Sequence, residues 1–330
     1  MKKNFVRLLG GTKLQMVRIS LFAIFVSLFV GAAILLAIGK NPLSAYLNLL
    51  QGSGLAMKEN YAGRQSMFTD FMSFLDALTP MIFASLSVTV ALRAGLFNIG
   101  VSGMMMLSGF TASVIVGRSG LSAFVAKPLV LLMGIVAGAV VGALIGWLKY
   151  RFNINEVVSS IMLNYIFMYI ITFFINTFFM NPISRQSNPV SDASRLTLEN
   201  FQAFGLKFNV PLAFLPAVIC AAAVWFLINR TTAGFEIKAV GMAKNAARYA
   251  GISIPKNIIL AMTLSGGLAG LAGVTYFCGY LASIQPGVVP GMGFNAIAVA
   301  LLGNSDPIGC IFSSFLIFSS FFICMSFSSK

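Results

Sequence analysis

Long apolar runs separated by short polar ones organise this chain. The first, Ile19 to Ile38, is long enough to cross a bilayer. It exceeds the core of a secretory leader, about 7–15 residues, so it reads as an uncleaved first span. A polar stretch from Lys40 to Thr69 follows, in which NPLSAYLNLLQGSG suits the membrane interface. Further spans are predicted over Phe71–Leu92, Leu129–Leu148, Val157–Met180, Leu212–Ile228, Ile258–Leu281 and Ile308–Phe327. Two stretches interrupt the pattern. RAGLFNIGVSG precedes an apolar run resuming at Met104, and SIQPGVVPGMGFNAIAVALLGNSDPIG follows the Ile258–Leu281 span. Both are too rich in glycine or proline for a continuous helix, and broken backbone at membrane depth is tolerated only where it is buried in protein or lines a cavity. Each carries a Phe-Asn pair, Phe97-Asn98 and Phe294-Asn295, then small residues and a short apolar run. Two interrupted segments in corresponding places suggest two related halves around a central pathway. Asn98, Ser102 and Asn295 are therefore candidates for that path. The plainer alternative is that the two asparagines cap the half-helices after them. The fold class is all-α: residues 19–330 form one polytopic transmembrane helix bundle, preceded by a basic tail over residues 1–18.

Two spans carry small residues at helical spacing. Gly134, Gly138, Gly142 and Gly146 recur every fourth residue, and Gly266, Gly267, Gly270 and Gly273 line the Ile258–Leu281 span. Such faces let helices approach closely. The second is not a phosphate loop, since it is apolar and no strand precedes it.

Charge fixes the expected sidedness. Lys2, Lys3, Arg7, Lys13 and Arg18 precede the first span with no acid among them, which places the N-terminus inside by the positive-inside rule. The segment from Asn229 to Lys256 carries Arg230, Lys238, Lys244, Arg248 and Lys256 against the single acid Glu236, so it too should be cytoplasmic. Asn181 to Pro211, of mixed charge, should be outside. Within the 229–256 segment, Met242 to Ala250 is alanine-rich and free of proline, which predicts a short helix, and Gly251 stands where a left-handed C-cap is wanted. Met242, Ala246 and Tyr249 share one face, and Lys244 and Arg248 another. The small face, Ala243, Ala246, Ala247 and Ala250 with Tyr249, suits docking in a groove of a cytoplasmic partner. From composition alone, a solvated basic loop that only fixes topology is an equal alternative.

Of the 330 residues, 58% are hydrophobic and 9% charged, far below the roughly 25% charge of a soluble domain. The net charge of +14 sits in loops between spans, so it points to anionic lipid headgroups and topology, not to nucleic acid. With no histidine, histidine-based acid–base catalysis and metal ligation are removed together. Cys220, Cys278, Cys310 and Cys324 all lie in apolar stretches and read as small buried hydrophobes. No GxxxxGK[ST] loop occurs, so the chain is not itself an ATPase. The acids are scattered singly, which does not supply the clustered magnesium ligands of a lipid-phosphate transferase. No enzyme and no cofactor of its own is expected. An ion-coupled secondary transporter is the competing class; it needs carboxylates within the membrane, for which Asp76 and Glu156 are the candidates. Both lie near span ends, where interfacial placement is the plainer explanation, and Glu156 also opens a helix whose dipole favours it.

The motifs RAGLFNIGVSG, FNINEVVSSIMLNYI, AGFEIKAVGMAKNAARYAGI, SGGLAGLAGV and GFNAIAVALLGNSDPIG, in this order, resemble the membrane permeases of ABC importers. The branch is that of ribose, branched-chain amino-acid and nucleoside permeases, and the wording is most similar to nucleoside or simple-sugar-like ones. The resemblance covers residues 75–312. It implies a bundle of about eight to ten helices. It implies a second permease subunit, homologous or identical, cytoplasmic ATPase subunits that use the ATP, an extracellular substrate-binding lipoprotein, and a bacterial plasma membrane. It also assigns the 229–256 segment to ATPase coupling, with Glu236, Gly241, Lys244, Ala246, Ala247, Arg248, Tyr249 and Gly251 as the residues concerned. Two departures stand out. Ser102 and Met104 occupy places where the family pattern has glutamate and glutamine. The pattern also continues past the region where this sequence reads LIFSSFFICMSFSSK, which implies one crossing fewer here, by a frameshift or a shortened natural copy.

Overall fold

The computed structural model describes residues 15–58, 66–203 and 206–327; most of the basic tail expected over residues 1–18 lies outside the described residues. The chain folds as an all-α bundle with one small hairpin. Helix α1 (Gln15–Ala37) turns through Gly39, at φ +77°, into α2 (Pro42–Gly52). Then come α3 (Met67–Arg93), α4 (Val101–Ile115), α5 (Ala123–Phe152) and α6 (Glu156–Phe174), the last extended by a π-turn over Ile175–Phe179. Strands β1 (Thr197–Ala203) and β2 (Leu206–Pro211) form an antiparallel pair. After them run α7 (Phe214–Arg230), α8 (Thr232–Met242), α9 (Lys244–Tyr249), α10 (Ile254–Thr275, with a π-turn over Tyr276–Tyr280), α11 (Met292–Leu302) and α12 (Pro307–Phe327). Among the described residues, four helices are long and apolar enough to cross a membrane, or up to six if each sharply bent pair counts as one span.

The hairpin departs from the expected all-helical pattern. It lies in the polar 181–211 segment, where LKFNV alternates apolar and polar residues with the period of a strand. Phe201 pairs with Phe208 across it, with ring centroids 5.8 Å apart, and Phe208 meets Phe68 of α3 edge-on at 5.2 Å.

Helices α3 and α10 form the centre. The most apolar window of α3 is 89% buried inside the protein, against 33% for the α6 span. Helices α5 and α6 instead turn Val140, Trp147, Tyr165, Tyr169, Phe173 and Phe178 outward, as a lipid- or subunit-facing surface does. The expected glycine faces meet each other. A Cβ on Gly138 would overlap the Gly266 carbonyl oxygen, one on Gly142 that of Met262, and one on Gly270 that of Gly134. Backbone thus packs on backbone between α5 and α10, as small-residue faces permit.

The interhelical segments gather at two ends. At the hairpin end, Ser191 N–H donates to Gly117 O at 3.1 Å, Val190 N–H to Ala282 O at 3.0 Å and Leu196 N–H to Cys278 O at 3.0 Å. At the opposite end, Lys149 pairs with Glu156 at 2.7 Å, Arg93 Nε donates to Ser305 O at 2.7 Å, and Gly95 abuts Gly241. Among the described residues, the loops expected to share a side of the membrane are therefore found together.

Candidate functional site

Both interruptions are present, and the chain closes them internally. Helix α3 ends at Arg93, and Gly95 takes φ +67° to turn the chain. The Asn98 side chain then accepts from Gly100 N–H at 2.9 Å, just ahead of α4, and donates to Ser265 Oγ of α10 at 2.9 Å. Ser265 Oγ in turn lies 3.0 Å from Ser87 Oγ and donates to Ser87 O at 2.8 Å. Asn98, 1% exposed, thus satisfies freed backbone at the break and anchors it to the bundle centre, in the manner of a helix-start side chain. A second buried asparagine, Asn164 of α6, supports the same turn: it accepts from Gly103 N–H at 2.8 Å and donates to Ile99 O at 3.0 Å. Neither Asn164 nor Ser265 was singled out from the sequence. The signal existed for Asn164, an amide in the apolar run IMLNYIFMYI, because such a group in a membrane needs a partner.

The two interruptions also touch. Ser102, 0% exposed, donates from its hydroxyl to Pro290 O at 2.8 Å. A Cβ on Gly293 would overlap the Ser102 side chain, so the first turns of α4 and α11 are packed without a gap. Met104, also fully buried, faces the Asn98 amide at 3.8 Å through its sulfur. Asn295 is different, half-buried on α11 one position after the exposed Phe294. Of the three path candidates, Asn98 and Ser102 are hydrogen-bonded inside the fold, and Asn295 retains access to the outside.

The 229–256 segment, expected to couple to an ATPase, departs from expectation first at Ala243. The single helix expected over Met242–Ala250 is interrupted: Ala243 is extended, at φ −155° and ψ 94°, between α8 and α9. Tertiary packing overrides alanine propensity here. Helix α8 starts earlier than expected, with Thr231 Oγ1 accepting from Gly234 N–H at 3.2 Å, and it buries Ile237 and Val240. Its last turn is held at Gly241, where a Cβ would overlap Arg93 O. The chain has to bend before α9 can begin. Helix α9 ends as expected: Gly251 at φ +79°, with Gly251 N–H donating to Arg248 O at 3.1 Å and Ile252 N–H to Ala247 O at 3.0 Å, a Schellman motif.

The exposed face of α9 is correspondingly narrower than the one expected to dock. Met242, Ala243, Lys244, Ala246, Arg248 and Ala250 are exposed, and Tyr249 is 94% exposed. Ala247, expected among them, is 4% exposed and packs into the core beneath α9. Glu236 also points inward, accepting from Asn257 Nδ2 of α10 at 2.9 Å. Asn257 is itself buried and donates to Ser253 O at 2.9 Å, so Glu236 braces α8 against α10.

The carboxylates considered for ion coupling are both engaged. Asp76, 7% exposed and well inside α3, accepts from Thr197 Oγ1 of β1 at 2.7 Å. Its side chain is buried against the hairpin, toward that end of the bundle. Glu156 opens α6 and pairs with Lys149 across the α5–α6 turn, and the Lys244 ammonium on α9 is near enough to act on it electrostatically. Among the described residues, no group of three or more Cys, Asp or Glu side chains could hold a metal ion.

Comparison with known proteins brings these features together. The chain is 34% identical over 315 residues to the nucleoside ABC transporter permease protein NupB of Lactococcus lactis subsp. cremoris, covering 92% of this chain and 82% of that protein. It is 33% identical over 307 residues to the guanosine ABC transporter permease protein NupP of Bacillus subtilis, covering 92% and 84%. It is 28% identical to the glucose ABC transporter permease protein TsgB13 of Haloferax volcanii over 292 residues, covering 86% and 74%. The apolar helices and these permease relatives make it a multi-pass membrane protein. With residues 71–323 matching the family described as branched-chain amino acid transport system / permease component, the chain belongs to that family of transporter permeases.

Proposed function

We propose that this chain is the membrane subunit of an ATP-driven importer in a bacterial plasma membrane, and that its solute is a nucleoside. The observation that carries the reading is the combination of an exposed, basic, two-part helix at one end of the bundle with closely packed helix breaks inside it. Such a chain provides a path and a docking point, and leaves hydrolysis to another protein. The nucleoside assignment is supported by the two relatives at 33% and 34% identity, both of which bear nucleoside-type names; the glucose-named relative is less similar.

In this reading, cytoplasmic ATPase subunits receive Met242, Ala246 and Tyr249 in a groove, with Lys244 and Arg248 at its rim. Rim charges raise association rate more than final affinity. A second permease subunit covers part of the outward apolar surface, and an extracellular substrate-binding lipoprotein delivers solute at the hairpin end. The N-terminus and the 229–256 segment are cytoplasmic. The path runs beside α4 and α11. Asn295 faces it, and Asn98 and Ser102 hold its walls in place. An ion-coupled secondary transporter would need a free membrane carboxylate, and the hydrogen bond on Asp76 and the ion pair on Glu156 weigh against that role.

The test is uptake of radiolabelled guanosine by cells expressing the chain with partner ATPase and lipoprotein subunits, in competition with unlabelled nucleosides, ribose and glucose. The reading expects nucleosides to compete and the sugars not to. Competition by a sugar alone would overturn the nucleoside assignment.

A further inference from the structure

At the end of the bundle that holds the 229–256 segment, three chain segments meet through backbone. Gly241 closes α8. A Cβ there would lie 2.8 Å from Ala94 C and from Gly95 N, and would overlap Arg93 O. Reciprocally, a Cβ on Gly95 would lie 2.8 Å from Gly241 O and 3.0 Å from Gly241 Cα. The end of α8 therefore sits directly on the turn that begins the first interruption, with no side chain between them. The same turn reaches the second interruption: Arg93 donates from Nε to Ser305 O at 2.7 Å. Ser305 lies in the turn between α11 and α12, where both Asn304 and Ser305 adopt positive φ, 56° and 51°. That turn is stiff, because a Cβ on Gly309 would overlap Gly303 O, and Ser313 Oγ donates back to Val299 O at 2.8 Å.

We infer that Arg93 and the Gly95–Gly241 seat form a junction that carries displacement of α8 and α9 to both helix interruptions at once. The inference rests on the permease reading above, with α9 as the part the ATPase moves. Three features support it. Backbone-on-backbone contact has no flexible side chain to absorb a shift, and close-packed interiors transmit strain. The Arg93 Nε, fixed in a planar guanidinium, donates to Ser305 O at 2.7 Å and so ties the two turns directly. The first interruption is further tied to the second by Ser102 and Pro290, so the two move as one piece. Arg93 is thus a positioning residue: it touches neither ATP nor the path directly.

The experiment uses the permease purified with its ATPase and reconstituted in liposomes with the binding lipoprotein. It compares parent, Arg93→Ala and Gly241→Ala by solute taken up per ATP hydrolysed, measured on monodisperse complexes so that poor yield does not enter the ratio. Arg93→Ala is expected to retain the ATPase and to hydrolyse ATP, with uptake per ATP lowered about tenfold, the scale of one lost hydrogen bond to a charged group; Gly241→Ala, whose Cβ would push α8 off the turn, should lower the same ratio wherever the complex assembles. If Arg93→Ala keeps the parent ratio, or loses hydrolysis and uptake in proportion, the junction is overturned while the permease reading stands. A parent complex with no ATP-dependent uptake would overturn the permease reading, and the junction with it. Should Gly241→Ala not assemble, the Arg93→Ala ratio alone decides.

Discussion

Ala246 and Ala247 are neighbours on α9 with opposite environments, the first exposed and the second buried in the core cluster. A carboxylate at position 246 meets water in the isolated subunit, so Ala246→Glu should fold normally. In the complex the same charge would be buried without a partner, which is strongly unfavourable, and co-purification with the ATPase should be lost. Ala247→Glu should instead lower the yield and melting temperature of the permease itself. Size-exclusion profiles and pull-down of the ATPase distinguish the two, and equal behaviour of both variants would contradict the placement of α9. At the first interruption, Asn98→Ala removes the acceptor for Gly100 N–H and the donor to Ser265. Leaving buried groups unpaired costs about 1–3 kcal/mol each, so a clear drop in melting temperature in detergent is expected. Asn295→Ala should leave stability unchanged and lower uptake; the reverse result would exchange the roles of the two asparagines. In the sequence these residues look alike, each following a phenylalanine in a glycine-rich stretch. Their difference comes from Ser265 and Ser87, far away in the chain, and no local pattern shows that.

Among the elements, the two glycine faces were legible because their spacing is a property of one helix, and the structure puts them against each other. Their members are not equivalent. A Cβ on Gly138 would overlap the Gly266 carbonyl, whereas a Cβ on Gly267 would find its nearest neighbour at an ordinary 3.6 Å. Gly138→Ala should therefore push α5 away from α10 and destabilise the protein, on the scale of about 1–3 kcal/mol for overpacking. Gly267→Ala should be neutral, or slightly stabilising through reduced unfolded-chain freedom. Thermal melts of the two variants check this, and matching losses would mean that the α5–α10 contact is looser than described. Two elements are not legible in the sequence, for physical reasons. The hairpin's one sequence signal, the alternation of LKFNV, spans only five residues within a polar loop. The break at Ala243 was hidden because alanine favours helix locally, while the seat of Gly241 on α3 is a tertiary constraint.

For the whole molecule, charge predicts the sidedness, and packing gathers the described loops into two ends that match the predicted grouping. Single cysteines at Asn188 and Asn245, in a background lacking the four native cysteines, should report opposite sides. An impermeant thiol reagent applied to intact cells should label position 188 and spare 245. Labelling of 245 from outside would invert the arrangement and remove α9 from the reach of a cytoplasmic ATPase. On the proposed function, movement of solute along this chain is driven by ATP hydrolysis on a separate subunit docked at α9. The most direct measurement is uptake into proteoliposomes holding the permease–ATPase complex, with ATP supplied on the α9 side, binding lipoprotein and labelled nucleoside on the other, and ionophores that collapse proton and sodium gradients. Uptake should require ATP, persist undiminished with ionophores, and disappear in complexes assembled with Ala246→Glu. Uptake that continues without ATP and stops when the ion gradients collapse would contradict the account.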